Sequence, residues 1–261
     1  MYRFYKPLYK LNEIRSELSK ITSYTLHKET KKIRRNPFFV FRRRQQFQID
    51  LVFLEKGVTK ESQKRYLLTC IDAATKYAWA RTLKSKKAGE VLNAFEDILR
   101  ESGDDPETLL SDRGSEFKNR QFGPFCRARN IKVLFPMNEI KAGCVERFNK
   151  TLQVLAYKYL TEYNVPSFVR YLPKLLKTYN GRYHTVIKMT PEEAEKDAEK
   201  LFSMYQQRFS KFKRKKPRYR VGQKVRISIS KDKFHRSYHP QFQVEQFLIS
   251  RVHSMATSLF C

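Results

Sequence analysis

The chain has 261 residues, 41% hydrophobic and 31% charged, with 20 Phe and 15 Tyr but only 8 Gly and 10 Pro. That composition excludes a disordered tail and supplies a core for one large domain or a main domain with smaller appendages. There are 54 Lys and Arg against 26 Asp and Glu, a formal charge of +28, and a compact fold with that excess repels itself unless a polyanion is a normal partner.

No apolar run is long enough to cross a membrane as a helix and no cleavable leader is visible, so a soluble, intracellular protein is expected. Cys70, Cys126, Cys144 and Cys261 form no CxxC pair and do not combine with the five histidines into a zinc pattern. Cys126, Cys144 and His184 are read as packing and hydrogen-bonding residues in a reducing compartment.

In chain order, the first 49 residues hold 13 Lys or Arg against 3 Glu, and "LNEIRSELSKI" within them has the spacing of a short amphipathic helix. "FQIDLVFL" (47–54) reads as a strand, as do segments of "RYLLTCIDAATKYAWARTL", "TLLSDRG" and "IKVLFP". "KAGEVLNAFEDILRESG" predicts a helix whose stripe of Val91, Ala94, Phe95, Ile98 and Leu99 stops at Gly103. "NRQFGPFCRARN" is a weaker helix and "GCVERFNKTLQVLAYKYLTEYN" a stronger one. "TPEEA" opens another, with Thr190 as N-cap and Glu193 closing a capping box. "KFKRKKPRYR" (211–220) has seven basic residues in ten, interleaved with aromatics as a nucleic-acid surface requires; a solvated basic face is the alternative. In "YRVGQKVRISIS", Val225, Ile227 and Ile229 alternate as a half-buried strand opening a small β module. Strands followed by strand–helix alternation predict an α/β domain with a mixed sheet covered by helices.

Three carboxylates stand in unusual contexts. Asp50 lies mid-strand, with Phe47, Ile49, Leu51 and Phe53 on one face and Gln48, Val52 and Leu54 sharing its own. A lone buried carboxylate costs several kcal/mol, on the order of the penalty for any unpaired buried charge, unless it is paired or coordinated. Asp112 stands at the carboxyl end of a short apolar strand, where open α/β sheets place their sites, although such a residue also caps turns. Glu146 shares a helix face with Asn149, Lys150 and Gln153, opposite Val145, Phe148 and Leu152, as an ordinary solvated face would. Together the three match two-metal phosphoryl chemistry, in which carboxylate oxygens hold hard Mg²⁺ or Mn²⁺. That chemistry requires the three carboxylates to converge.

"FQIDLVFL", "LLSDRGSEF" and "GCVERFNKTL", in that order, resemble the D…D-x-G-x-E-F…E-R-x-N pattern of retroviral-type integrase catalytic cores. "YNGRYHTVIKMTPEEA" resembles a later signature of the same family. "YTLHK" and "VGQKVRIS…F…YHPQF" make the resemblance closest to integrases of Maverick/Polinton-type transposons. Thirty-three residues separate Asp112 from Glu146, slightly fewer than in most retroviral integrases, and Phe47 stands where relatives usually carry Trp.

The resemblance implies an RNase H-like fold and a catalytic, metal-holding triad of Asp50, Asp112 and Glu146. Two Mg²⁺ or Mn²⁺ ions would serve as cofactors, Asp50 and Asp112 holding one, and Asp50 and Glu146 the other. It implies DNA contacts at Arg147, Asn149 and Lys150 and a structural or supporting role for Asp72. The basic run adds Lys211, Lys213, Arg214, Lys215, Lys216 and Arg218 as DNA-binding candidates. The expected organisation is a basic helical N-terminal arm (1–41), the catalytic core (42–198), a helical basic linker (199–220) and a partial, truncated SH3-like module (221–261).

The expected function is metal-dependent 3′-end processing and strand transfer of DNA by a homo-multimer, in the nucleus. DNA, both element ends and target duplex, is the expected partner, with no membrane and no small-molecule substrate. Two alternatives stay open: an RNase H-like nuclease that cuts without joining, and a catalytically inactive, domesticated DNA-binding protein.

Overall fold

The computed structural model describes residues 9–29, 40–54, 64–112, 114–135, 143–211, 219–229 and 238–252. The chain divides into two compact units, one of residues 38–212 and one of residues 1–37 with 213–261.

The larger unit is built on five strands, β1 (Gln46–Phe53), β2 (Tyr66–Asp72), β3 (Ala78–Leu83), β4 (Thr108–Leu110) and β5 (Lys132–Leu134), in the order β3-β2-β1-β4-β5. β1, β2 and β3 are antiparallel neighbours, whereas β1 pairs with β4, and β4 with β5, in parallel. The sheet is therefore mixed, as expected. The parallel half requires helical crossovers, supplied by α3 (Ala88–Ser102) and α4 (Phe122–Ala128).

The period-2 alternation of the strands sends side chains into two separate cores. Phe47, Ile49, Leu68, Cys70 and Trp79 pack against Val91, Phe95, Ile98 and Leu99 of α3 on one face. Leu54, Leu67, Ile71 and Ala80 pack on the other against Val145, Phe148 and Leu152 of α5 (Gly143–Tyr163) and Leu175 and Tyr179 of α6 (Leu172–Asn180). Gly103 stops α3 with φ at +83°, a conformation that costs glycine no Cβ clash.

A third cluster sits under α7 (Pro191–Lys196) and α8 (Ala198–Ser210), where Val40, Ala73, Ala74, Ile187, Leu201 and Tyr205 are buried. Thr190 caps α7 as expected: its hydroxyl accepts from the Glu193 N–H, and the Glu193 carboxylate accepts from the Thr190 N–H. α8 lies in the segment read as a linker, and it is tied down by the Tyr205 hydroxyl donating to the Ala74 carbonyl at 2.9 Å.

Asp72 ends β2 fully buried. It accepts from the backbone N–H groups of Arg44 (2.8 Å) and Ala74 (2.7 Å) and pairs with the Arg44 guanidinium at 3.4 Å. Arg44 also reaches Glu195 at 2.9 Å and the Ser102 carbonyl at 2.6 Å. This network ties β1, β2, α3 and α7 together, which gives Asp72 a structural role.

In the smaller unit, α1 (Leu11–Lys20) and α2 (Thr22–Leu26) form where an amphipathic helix was expected, although neither buries a residue. The β module is thinner than the alternation of Val225, Ile227 and Ile229 suggests. β6 (Lys224–Val225) and β7 (Phe247–Leu248) pair over two residues each, and among the described residues a single further bridge joins Ser228 to Phe242. Ile227 is half exposed, because the ladder breaks before it can bury that side of the strand. The Gln241 N–H donating to the Leu26 carbonyl at 2.7 Å links the two ends of the chain within this unit.

Candidate active site

Strand register relates the first two acids. Gln48 of β1 stands opposite Leu110 of β4 in the parallel pairing; two residues further along each segment come Asp50 and Asp112. The third acid is delivered by α5, whose first turn is held against β1 by side chains on the face that Asp50 shares. Gln48 Oε1 accepts from the Cys144 and Val145 N–H groups at 3.0 and 3.3 Å, satisfying two of the donors a helix start leaves free. One turn on, Asn149 Nδ2 donates to Asp50 Oδ2 at 2.7 Å. Glu146 lies in sequence between these two attachments.

Asp50 is half-buried, whereas Asp112 and Glu146 are exposed. Burial pushes the Asp50 carboxyl up from its ordinary range, and the charges of Asp112 and Glu146 push it the same way, against the hydrogen bonds from the Leu51 N–H and Asn149. The three acids thus share one electrostatic site. Among the described residues, however, no three His, Cys, Asp or Glu side chains are gathered closely enough to hold a metal ion. Like charges repel, and internal donors occupy the oxygens: Asp112 Oδ1 accepts from the Gly114 N–H at 3.0 Å, and Asp50 Oδ1 from its own neighbour Leu51 at 2.9 Å.

The donor set nonetheless suits a hard divalent cation. It consists of carboxylate oxygens alone, and both influences that raise the Asp50 carboxyl, burial and repulsion, are relieved by a cation beside it.

The remaining candidates are distributed as follows. Asn149 is 8% exposed, which corrects the reading of its helix face as solvated: it points into the site, with its Oδ1 buried and lacking a hydrogen-bond partner. Lys150 is exposed, as is Arg147, whose charge acts on His184 and Tyr179. Lys211 lies at the C-terminal end of α8, an element that carries none of the three acids. Lys213, Arg214, Lys215, Lys216 and Arg218 lie outside the described residues.

Sequence reasoning missed Gln48 as the residue that seats α5. Its position two residues before Asp50, on the same face of an otherwise apolar strand, was the available signal. Asn180 was noted only within a motif; its side chain both accepts from the Ala78 N–H (2.9 Å) and donates to the Ala78 carbonyl (3.0 Å), fastening α6 to β3. His184 is half-buried, with Nδ1 accepting from the Val186 N–H. Cys70 and Cys126 are buried free thiols, and Cys144 is partly buried beside the Lys76 ammonium at 3.4 Å. These packing roles agree with the sequence reading. Cys261 lies outside the described residues.

Residues 42–136 match the integrase core domain. That span carries Asp50 and Asp112; Glu146 lies beyond it. A transposon-derived protein of Caenorhabditis elegans is 31% identical over 183 residues, 70% of this chain and 62% of that protein. The Pro-Pol polyprotein of feline foamy virus is 33% identical over 100 residues, 36% of this chain and 8% of the polyprotein. The chain thus spans about three fifths of the first relative and a small part of the second. Among solved structures, a simian T-cell lymphotropic virus intasome in complex with the PP2A regulatory subunit B56 gamma superposes with a TM-score of 0.62 at 19% identity. The match covers 72% of this chain and 67% of that one. The five-stranded mixed sheet flanked by helices is thus like that of integrase catalytic cores.

Proposed function

We propose that the protein is a DDE-type integrase or transposase that processes DNA 3′ ends and joins them to a target duplex. Asp50, Asp112 and Glu146 would be its metal-holding acids. The observation that carries this reading is the site at Asp50: a half-buried mid-sheet carboxylate, raised by burial and by the charges of two exposed acids, and held by Asn149. The motifs around the three acids and the match to the integrase core domain support it.

Two Mg²⁺ or Mn²⁺ ions would suit this donor set, with Asp50, Asp112 and Glu146 as the residues that would hold them. Such ions polarise phosphoryl oxygens and stabilise the charge of in-line displacement. The chain's own residues would do the rest. Asn149 and the Leu51 N–H fix the two oxygens of Asp50, and Gln48 holds the start of α5, so Glu146 is carried on a helix anchored at both sides. In end processing, water attacks a phosphodiester phosphorus, the P–O bond to the upstream 3′ oxygen breaks, and that oxygen leaves as a 3′-hydroxyl. In joining, this hydroxyl attacks a target phosphorus, a new P–O bond forms and a target 3′ oxygen departs, taking up a proton.

Arg147 and Lys150 on α5, Lys211, and the basic residues Lys213, Arg214, Lys215, Lys216 and Arg218 would meet DNA phosphates, and the small β module would extend that surface as an SH3-like domain. Both DNA ends must be handled together, so a homo-multimer is part of the proposal, as are a nuclear location and descent from a Maverick/Polinton-type element.

A strand-transfer assay in Mg²⁺ or Mn²⁺, with Asp112→Asn as control, tests this. Joined products that vanish in the variant are expected. Nicks without joining would indicate a nuclease instead, and tight DNA binding with neither product a catalytically inactive binding protein.

A further inference from the structure

Beyond Asp112, the chain enters a concavity of about 600 Å³ formed by the turn after β4, by α4 and by β5. That volume lies within the roughly 300–1,000 Å³ of small-ligand sites. Four cations line it, Lys118, Arg120, Arg127 and Lys132, all exposed, and no acid lines it. Among the described residues none of the four makes an ion pair. Other arginines of this unit do find acids: Arg129 pairs with Asp105 at 2.9 Å, Arg100 with Asp97 at 2.9 Å, and Arg81 with Glu101. The groove therefore concentrates positive charge that no ion pair among the described residues compensates.

Its floor is different in character. Val133 and Phe135, both partly buried, contribute accessible apolar surface to the lining, over the buried Ile131 side chain. The turn presenting Lys118 and Arg120 is stiffened by Asn119 between them. Asn119 Nδ2 donates to the Ser115 and Glu116 carbonyls at 3.3 and 2.7 Å, and its Oδ1 accepts from the Gln121 and Phe122 N–H groups, both at 2.9 Å. The backbone that carries the two cations is thus preorganised, which lowers the loop-ordering part of the cost of binding.

We infer that this groove binds unpaired nucleotides of a DNA strand, a base covering the apolar floor while flanking phosphates meet Lys118, Arg120, Arg127 and Lys132. Charge complementarity selects a polyanion, and the floor selects among polyanions. A duplex keeps its bases stacked inward and would satisfy the cations while leaving the floor uncovered. A free base has an apolar face to place there, and stacking of that kind contributes about 1–3 kcal/mol per base in single-strand sites. The inference deepens the integrase reading by naming where the DNA strand end or an opened target strand is held, close in sequence to Asp112. It does not depend on catalysis.

The test uses the full chain and two fluorescent probes, a short oligothymidylate and a blunt duplex, followed by anisotropy across a salt series. The double variant Arg120→Glu/Arg127→Glu is expected to lower oligothymidylate affinity at least about tenfold, with a smaller loss on the duplex. Its salt slope on the oligothymidylate should flatten by about 0.7 for each phosphate no longer neutralised. An oligonucleotide carrying 5-iodouracil is expected to crosslink within residues 117–135. An equal loss on both probes would overturn the single-strand assignment in favour of a duplex surface, and unchanged binding or crosslinks confined elsewhere would overturn the site. A free nucleoside triphosphate competing as well as the oligonucleotide would overturn the strand. Circular dichroism melting shows that the variant folds, and Arg127→Ala gives a milder second variant. If groove binding and crosslinking hold in a chain that joins no DNA, the integrase reading alone fails; if joining occurs but the groove variants bind single strands normally, this inference alone fails.

Discussion

Asn149 donates to Asp50 Oδ2 at 2.7 Å while its own Oδ1 is buried without a partner. A residue on the α5 helix thus holds an acid on the central strand and keeps one acceptor in reserve beside it. If this hydrogen bond positions Asp50, Asn149→Ala should reduce joining by about 10–100-fold, the range seen when groups supporting metal ligands are removed. It should also raise the Mg²⁺ concentration needed for half-maximal joining, with little effect on DNA affinity. A Mg²⁺ titration of joining rates separates this from simple loss of folded protein, which would lower the rate without moving the midpoint.

Asp50 is destabilising where it stands, by burial and by the field of two other acids. Asp50→Asn should abolish joining yet raise the thermal midpoint in metal-free buffer. Mg²⁺ should stabilise the wild-type chain and leave the variant unmoved. Differential scanning calorimetry with and without Mg²⁺ reads both, and a variant that melts lower than wild type would remove the argument from repulsion.

Arg44 is the opposite case, a buried cation paired with the fully buried Asp72 and the partly buried Glu195. Removing it with Arg44→Ala leaves Asp72 uncompensated, so a loss of about 3–5 kcal/mol is expected. The measurement is urea unfolding followed by circular dichroism. Asp72→Ala should be similarly severe, and the double variant should cost less than the two single losses added together, since each leaves the other charge stranded.

His184 gives a pH signature. Burial, first, and then the charges of Lys76 and Arg147 bring its pKa down to about 4, from an ordinary value of 6.5. Between those values the unfolded chain takes up a proton that the folded chain refuses, so stability rises with pH across that window and is lost as pH falls from 6.5 toward 4. Thermal melts from pH 7 to pH 4.5 should show this fall flattened in His184→Gln relative to wild type.

Much of the fold was legible in local pattern. The stripe of α3, the capping box at Thr190 and the two-faced apolar alternation around Asp50 each belong to one contiguous segment, and each reappears in the structure. The β module is the exception. Alternation at Val225, Ile227 and Ile229 needs a partner strand long enough to cover it, and β7 pairs over only two residues.

By itself, then, the sequence determined the elements, the excess of positive charge and the three acids in order, because periodicity, composition and motif spacing are properties of the chain read locally. Only the tertiary structure decided what those acids meet. The parallel register of β1 on β4 pairs Gln48 with Leu110, two residues before Asp50 and Asp112, and α5 turns Asn149 inward while Glu146 stays exposed. Asp72 is buried against Arg44 and Glu195, outside the triad. These outcomes depend on hydrogen bonds between residues about 30 to 150 positions apart, where burial and mutual charge, rather than neighbouring sequence, settle which oxygen each donor finds.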